Sequence, residues 1–188
     1  MKQALIAIDI QESFRQMPFW SDADLPSFIQ ATQGLADTCA ARGIPILQVF
    51  HIHGPEKPRS PFTRDSGHVK TLAELKLPKP AEVFYKKVHS ALYGQSDSGE
   101  TLLAWLRAHG IEEVIICGIR TEQCCETTAR HASDDGFKVK YVTDATLTFA
   151  MTSPSGRVYT PQEIKDRTEL VLVNRFAKIV PAAQALDD

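Results

Sequence analysis

The chain is poor in the features that mark special environments. It has four cysteines, at positions 39, 117, 124 and 125, with no Cys-x-x-Cys pair and no zinc-type spacing. A disulfide framework and a structural metal staple are therefore not expected. No apolar run approaches the 18 or so residues that a membrane helix needs. The formal net charge is only −2, which gives no electrostatic case for nucleic acid or an anionic membrane. The opening MKQALIAIDI lacks the length and cleavage site of a signal peptide and reads as a strand. Internal repeats, low-complexity segments and linkers are also missing. A cytoplasmic protein with one domain over residues 1–188 is expected, taking a small-molecule substrate and neither nucleic acid nor membrane as partner.

What is present alternates between strand and helix signals. Ala4–Ile8 is a continuous apolar run ending at Asp9, as in a fully buried parallel strand. The loop 11–24 carries Phe14, Phe19 and Trp20. Pro26 and Gly43 bracket a helix over about 26–42. Strands follow at Pro45–Phe50 and Glu82–Lys86, separated by a long loop at 52–69 and a short helix at 70–76. Ser98 is read as the cap of a helix that Gly110 ends. Val114–Cys117 and Val139–Val142 are strands on either side of a helix at 121–135. Thr160-Pro161-Gln162-Glu163 is a capping box that starts a helix to about 175. Ala177–Val180 is a last short strand. This alternation predicts βαβ units, hence an α/β fold with a mostly parallel sheet and helices on both faces.

The stretch Glu113–Ala129 carries the chemistry. If Thr121 caps the helix, Cys124 is its third residue, among unpaired N–H groups at the positive end of the dipole. That setting lowers a thiol pKa and can hold an oxyanion. The same residue could equally be a small apolar contact between helix and sheet. Cys125 points about 100° away around the helix, so both cannot face one site. Asp9, Lys86 and Cys124 each end or follow a predicted strand, where such sheets bind ligands. Alone, Asp9 could cap a turn and Lys86 could be a solvated lysine.

Three separated motifs resemble one family, the isochorismatase-like cysteine hydrolases. ALIAIDIQESF resembles its apolar strand with Asp-x-Gln-x-x-Phe; FYKKVHSAL resembles its Lys-x-x-x-Ser-Ala-aromatic segment, with Leu92 in the aromatic place. GIRTEQCCETTARHASDDGFKVKYVTDA resembles its Gly-x-x-Thr-x-x-Cys segment, the helix after it and the strand ending in Asp-Ala. The resemblance implies a Rossmann-like three-layer α/β/α fold on a six-stranded, mostly parallel sheet. It also implies a triad of Asp9, Lys86 and Cys124. Lys86 rather than Lys87 stands four before Ser90, and Cys124 rather than Cys125 stands six after Gly118. The family further implies an oxyanion hole from the N–H groups of Arg120 and Cys124, after a cis peptide at Ile119–Arg120. Gln11, Phe14 and Arg120 become candidate substrate contacts. For Arg120 the choice lies between a substrate carboxylate and a salt bridge to Glu122 or Glu126.

In this family the isochorismatases proper lack the cysteine. Its presence implies an amidohydrolase cleaving a C–N bond of a small carboxamide or ureido compound through a thioester. The alternatives are a vinyl-ether hydrolase and a catalytically silent binder. The nicotinamidase branch holds a metal through an Asp and two His. Here QVFHIHGPEKPRSPF has His51 and His53 with no Asp before them, so neither metal nor cofactor is expected. Family members imply a homo-oligomer, dimer or tetramer.

Overall fold

The computed structural model describes residues 1–187. Six parallel strands form one sheet: β1 (Gln3–Ile8), β2 (Ile46–His51), β3 (Glu82–Lys86), β4 (Glu113–Ile119), β5 (Lys138–Leu147) and, after a two-stranded hairpin of β6 (Met151–Thr152) and β7 (Val158–Tyr159), β8 (Lys178–Ile179). Their order across the sheet is β3-β2-β1-β4-β5-β8. β1 and β4 lie at the centre, and both are buried nearly throughout. That is why their sequences read as unbroken apolar runs rather than alternating ones.

The alternation survives in which layer each residue serves. Ala4, Ile6 and Ile8 of β1 pack with Val114 and Ile116 of β4 against α2 (Leu102–Ala108), α3 (Glu126–Asp134) and α4 (Pro161–Leu172). Leu5 and Ala7 pack with Ile115, Cys117 and Ile119 against α1 (Leu25–Ala41). Successive side chains of a strand leave on opposite faces, so one central strand feeds two cores. Among the described residues, no helix is long and apolar enough to cross a membrane.

Several local expectations shift. The cap of α2 is Thr101, whose hydroxyl accepts from the Ala104 N–H, while Ser98 is tied to Ser96 in the preceding turn. Residues 70–76 form no helix: Thr71 bridges Gln11, and the Leu72 N–H donates to the Ile10 carbonyl. Tertiary pairing with the end of β1 overrides a weak local propensity there. β5 runs on past Val142 to Leu147, and Asp144 accepts the Ala182 N–H.

Gly118 is the position where the backbone demands glycine. Its φ is +135°, and a Cβ there would stand 2.0 Å from the Ile8 carbonyl oxygen, because β1 and β4 are in register at Ile8 and Gly118. The β4–β5 register also slips between Ile116 and Gly118. The extra residues lie on β5, between Tyr141 and Thr146, so β5 is the strand that bends there. The strand order reverses between β1 and β4, the switch point where open parallel sheets bind ligands.

Candidate active site

Asp9 ends β1 with φ +53°, a left-handed turn that lifts its carboxylate over the strand ends. Lys86 ends β3 and reaches back past β2, so that its Nζ lies 2.7 Å from Asp9 Oδ2, with both side chains fully buried. The same Nζ lies 3.3 Å from Cys124 Sγ. Three residues separated by up to 115 positions (9 to 124) thus meet beyond the carboxyl ends of three strands. Lys86 Nζ also donates to the Val88 carbonyl at 3.1 Å and lies 3.3 Å from His51 Nδ1.

The turn bearing the thiol differs from the expected helix start. The capping position is Arg120, not Thr121, and residues Thr121–Cys125 form one wide π-turn before α3. The Arg120 carbonyl accepts from both Gln123 and Cys125. Thr121 is buried and spends its hydroxyl on Thr146 at 2.7 Å. The Thr128 hydroxyl donates to the Cys124 carbonyl at 2.6 Å and accepts the Ala91 N–H, pinning the loop after β3 to the helix that follows the thiol. The Ile119–Arg120 peptide is cis.

Burial, not the helix terminus, dominates the thiol. Desolvation, followed by the neighbouring Asp9, pushes the Cys124 pKa up to about 12 against the lowering pull of Lys86. The expected depression is therefore not found in the resting protein. A thiol sealed from water loses more by ionising than one cation and a helix end return. Asp9 is also raised, first by burial and against Lys86. Neither of its oxygens has a hydrogen-bond donor of good geometry among the described residues, so its lone pairs are unspent. Burial works against the Lys86 cation too, but Asp9 and Cys124 outweigh it and hold its pKa above the ordinary value. The arrangement is an ion pair beside a protonated thiol, with a carboxylate more basic than usual. Cys125 is fully buried in the helix-side core, and burial raises its pKa well above normal.

Gln11 does something other than the expected substrate contact. It is wholly buried, and its amide clamps the His51 backbone from both sides, donating to the carbonyl at 3.0 Å and accepting the N–H at 2.8 Å. Phe14 packs edge-on against Phe62, which in turn packs against His51 and His53. Phe62 sits in the aperiodic 52–69 loop, where no sequence signal singles it out. Arg120 pairs with Glu122 at 3.0 Å and lies over the Phe19 ring. Its alternative partner, Glu126, is taken by Arg130 and Arg167. The two histidines part company: His53 bonds Ser60, while His51 faces Lys86. Among the described residues, no three His, Cys, Asp or Glu side chains are placed to share an ion.

A cleft of about 800 Å³ is lined by Arg64, Tyr85, Lys86, His89, Ser90 and others, and reaches neither Asp9 nor Cys124. It borders Lys86 alone. The chemistry of the buried cluster, not the size of the cleft, marks the site.

A carboxylate, an ammonium and a thiol thus stand together at the switch point of a parallel α/β sheet. The chain belongs to the isochorismatase family: the model of the isochorismatase domain matches residues 3–157. It is 28% identical over 158 residues to nicotinamidase 3 of Arabidopsis thaliana, covering 78% of this chain and 73% of that protein. An isochorismatase-family protein of known structure from Chromobacterium violaceum superposes with a TM-score of 0.82 at 29% identity, over 97% of this chain and 90% of the other. The N-carbamoylsarcosine amidase structure from Thermoplasma acidophilum shares the fold, with a TM-score of 0.73 at 23% identity and 97% coverage of each chain.

Proposed function

We propose that the protein is a cysteine amidohydrolase that cleaves the C–N bond of a small carboxamide or ureido compound through a thioester on Cys124. The observation that carries this reading is the three-way contact of Lys86 with Asp9 and Cys124. An amide carbon needs a strong nucleophile, and its nitrogen needs a proton before it can leave. Asp9, with unspent lone pairs and a raised pKa, takes the thiol proton as sulfur attacks the carbonyl. Lys86 stays cationic and stabilises the thiolate while Asp9 becomes neutral. The tetrahedral oxyanion rests on the backbone N–H groups of Arg120 and Cys124. Asp9 returns the proton to the departing nitrogen, and ammonia or an amine leaves. Water, deprotonated by Asp9, then hydrolyses the thioester.

Phe14 and Arg120 remain the substrate contacts in this reading. Phe14 stands in the aromatic wall beside the histidines. Arg120, though paired with Glu122, leaves Nη2 without a hydrogen bond. Gln11 is reassigned to holding the backbone. The names of the relatives, a nicotinamidase and an N-carbamoylsarcosine amidase, support a C–N substrate.

The test is an ammonia-release screen over small carboxamides and ureido compounds. With a hit in hand, acid-quenched enzyme should carry an acyl adduct on the peptide containing Cys124, and Asp9→Asn should suppress it. Asparagine tolerates the left-handed backbone at φ +53°, so this variant removes the base without backbone strain. Full-rate turnover by Cys124→Ser or Cys124→Gly would refute covalent catalysis and favour vinyl-ether chemistry, in which the cysteine is idle.

A further inference from the structure

Lys86 has more acceptors than protons. An ammonium offers three N–H donors. Around Nζ stand Asp9 Oδ2 at 2.7 Å, the Val88 carbonyl at 3.1 Å, and both His51 Nδ1 and Cys124 Sγ at 3.3 Å. The Val88 carbonyl takes one proton, and Asp9, held at 2.7 Å as an ion pair without good hydrogen-bond geometry, draws on a second. The third is contested between an imidazole nitrogen and a sulfur.

Nothing in the proposed reaction uses His51, yet the fold places it with care. The β2–β3 register pairs His51 with Lys86, so the two side chains leave adjacent strands side by side. The Gln11 amide grips the His51 backbone at both its N–H and its carbonyl. Phe62 closes on the ring from another side. Burial, reinforced by the charge of Lys86, holds the His51 pKa down to about 3, so the ring is neutral at any working pH and Nδ1 can accept. An imidazole nitrogen is a far better acceptor than a neutral thiol, and a thiolate is better placed to compete for an ammonium proton.

We infer that His51 is a positioning residue for Lys86: its neutral imidazole holds the third N–H of the ammonium while the thiol is protonated, and releases it to sulfur as the thiolate forms. The inference rests on the proposed Asp9–Lys86–Cys124 triad and deepens it. No covalent bond changes in this step. One hydrogen bond is exchanged for another, and His51 neither gains nor loses a proton. Without that acceptor the buried ammonium loses a partner and its cationic form is less favoured, so the thiolate loses its counter-charge. The ionisable groups facing the pair are Asp9 from the end of β1, His51 and His53 from β2 and just beyond it, and Lys57 and His89 from the loops. A cation bound at Nδ1 is a poor alternative, since that nitrogen already faces an ammonium.

The test needs no substrate. Carbamidomethylation of Cys124 by iodoacetamide is followed by mass spectrometry of its peptide across pH in wild type, His51→Asn, His51→Leu and Lys86→Met. Asparagine offers an acceptor near the place of Nδ1; leucine keeps bulk and offers none. The expected result is that His51→Asn stays within about threefold of wild type. His51→Leu slows roughly tenfold at pH 7, the equivalent of one pKa unit, and its profile shifts to higher pH. Urea denaturation checks that the variants are folded. Should His51→Leu not fold, His51→Ala replaces it, and added imidazole should restore its rate. A His51→Leu or unrescued His51→Ala rate equal to or above wild type would overturn the inference. So would a slowing that a chelator reproduces in the wild-type protein. If Lys86→Met itself reacts like wild type, the triad reading fails; if only Lys86→Met is slowed, the triad stands and the role of His51 falls.

Discussion

Replacing Lys86 by methionine should make the stability of this protein depend on pH in an unusual direction. Methionine keeps the apolar stem and removes the charge, so packing is nearly preserved. What is lost is the 2.7 Å partner of a carboxylate that is fully buried and has no other donor of good geometry among the described residues. Removing one member of such a pair typically costs about 3–5 kcal/mol. The chain has an escape: Asp9 can fold protonated. From the ordinary carboxyl pKa of 3.8, binding that proton costs about 4 kcal/mol at pH 7 and about 1.6 kcal/mol at pH 5, at 1.36 kcal/mol per unit. Burial already raises the Asp9 pKa, and the variant loses the largest opposing influence, Lys86. A group raised in the folded state contributes its full stability below the unfolded pKa and loses it as pH rises toward the folded one. The deficit of Lys86→Met against wild type should therefore shrink on acidification from pH 7 to pH 5. In a domain of this size the deficit at pH 7 corresponds to roughly 8–16 °C in Tm. Urea titrations of both proteins at the two pH values measure it. The double variant Asp9→Asn, Lys86→Met, with no buried charge, should recover most of the loss and show no such slope. A deficit that is the same at both pH values, or below about 1 kcal/mol at pH 7, would refute the buried ion pair.

Cys124→Ala should abolish turnover of an amide found in the screen, whereas Cys125→Ala should keep a substantial part of it at a stability cost of about 1 kcal/mol; kcat and urea midpoints measured together decide, and equal activity losses would sink the assignment. Gly118→Ala should cost about 3 kcal/mol or more, or fail to fold, because its Cβ meets the Ile8 carbonyl at 2.0 Å, while Gly34→Ala in α1, with open space around the new methyl, should gain about 0.5–1 kcal/mol. Prolonged dialysis against a chelator should leave activity intact, since His51 turns its Nδ1 to Lys86; recovery of a lost rate by added zinc or iron would contradict that.

Much of this protein is written locally in its sequence. The apolar runs at β1 and β4, Pro26 and Gly43 around α1, and the capping box of α4 each encode their own element, because helix ends and buried strands depend on residues a few positions apart. Asp9, Lys86 and Cys124 are legible as residues at or after strand ends, and the resemblance of three motifs to the family is what picks them out as a set. Other features depend on residues far apart in sequence. Thr101 displaces Ser98 as a cap, and Thr71 pairs with Gln11 in place of the expected helix, because contacts across the fold outweigh weak local signals. Gln11 becomes a clamp on His51 only once β1 and β2 lie side by side. A helix terminus alone predicts a lowered thiol pKa, and the folded protein raises it instead. Desolvation is a collective property of every group that excludes water from Cys124, and no local stretch of sequence contains it. The identities of Asp9, Lys86 and Cys124 stand in the sequence; their meeting, their charge states and the acceptors around the lysine are decided by the tertiary structure, because only burial and strand order set the distances and the dielectric.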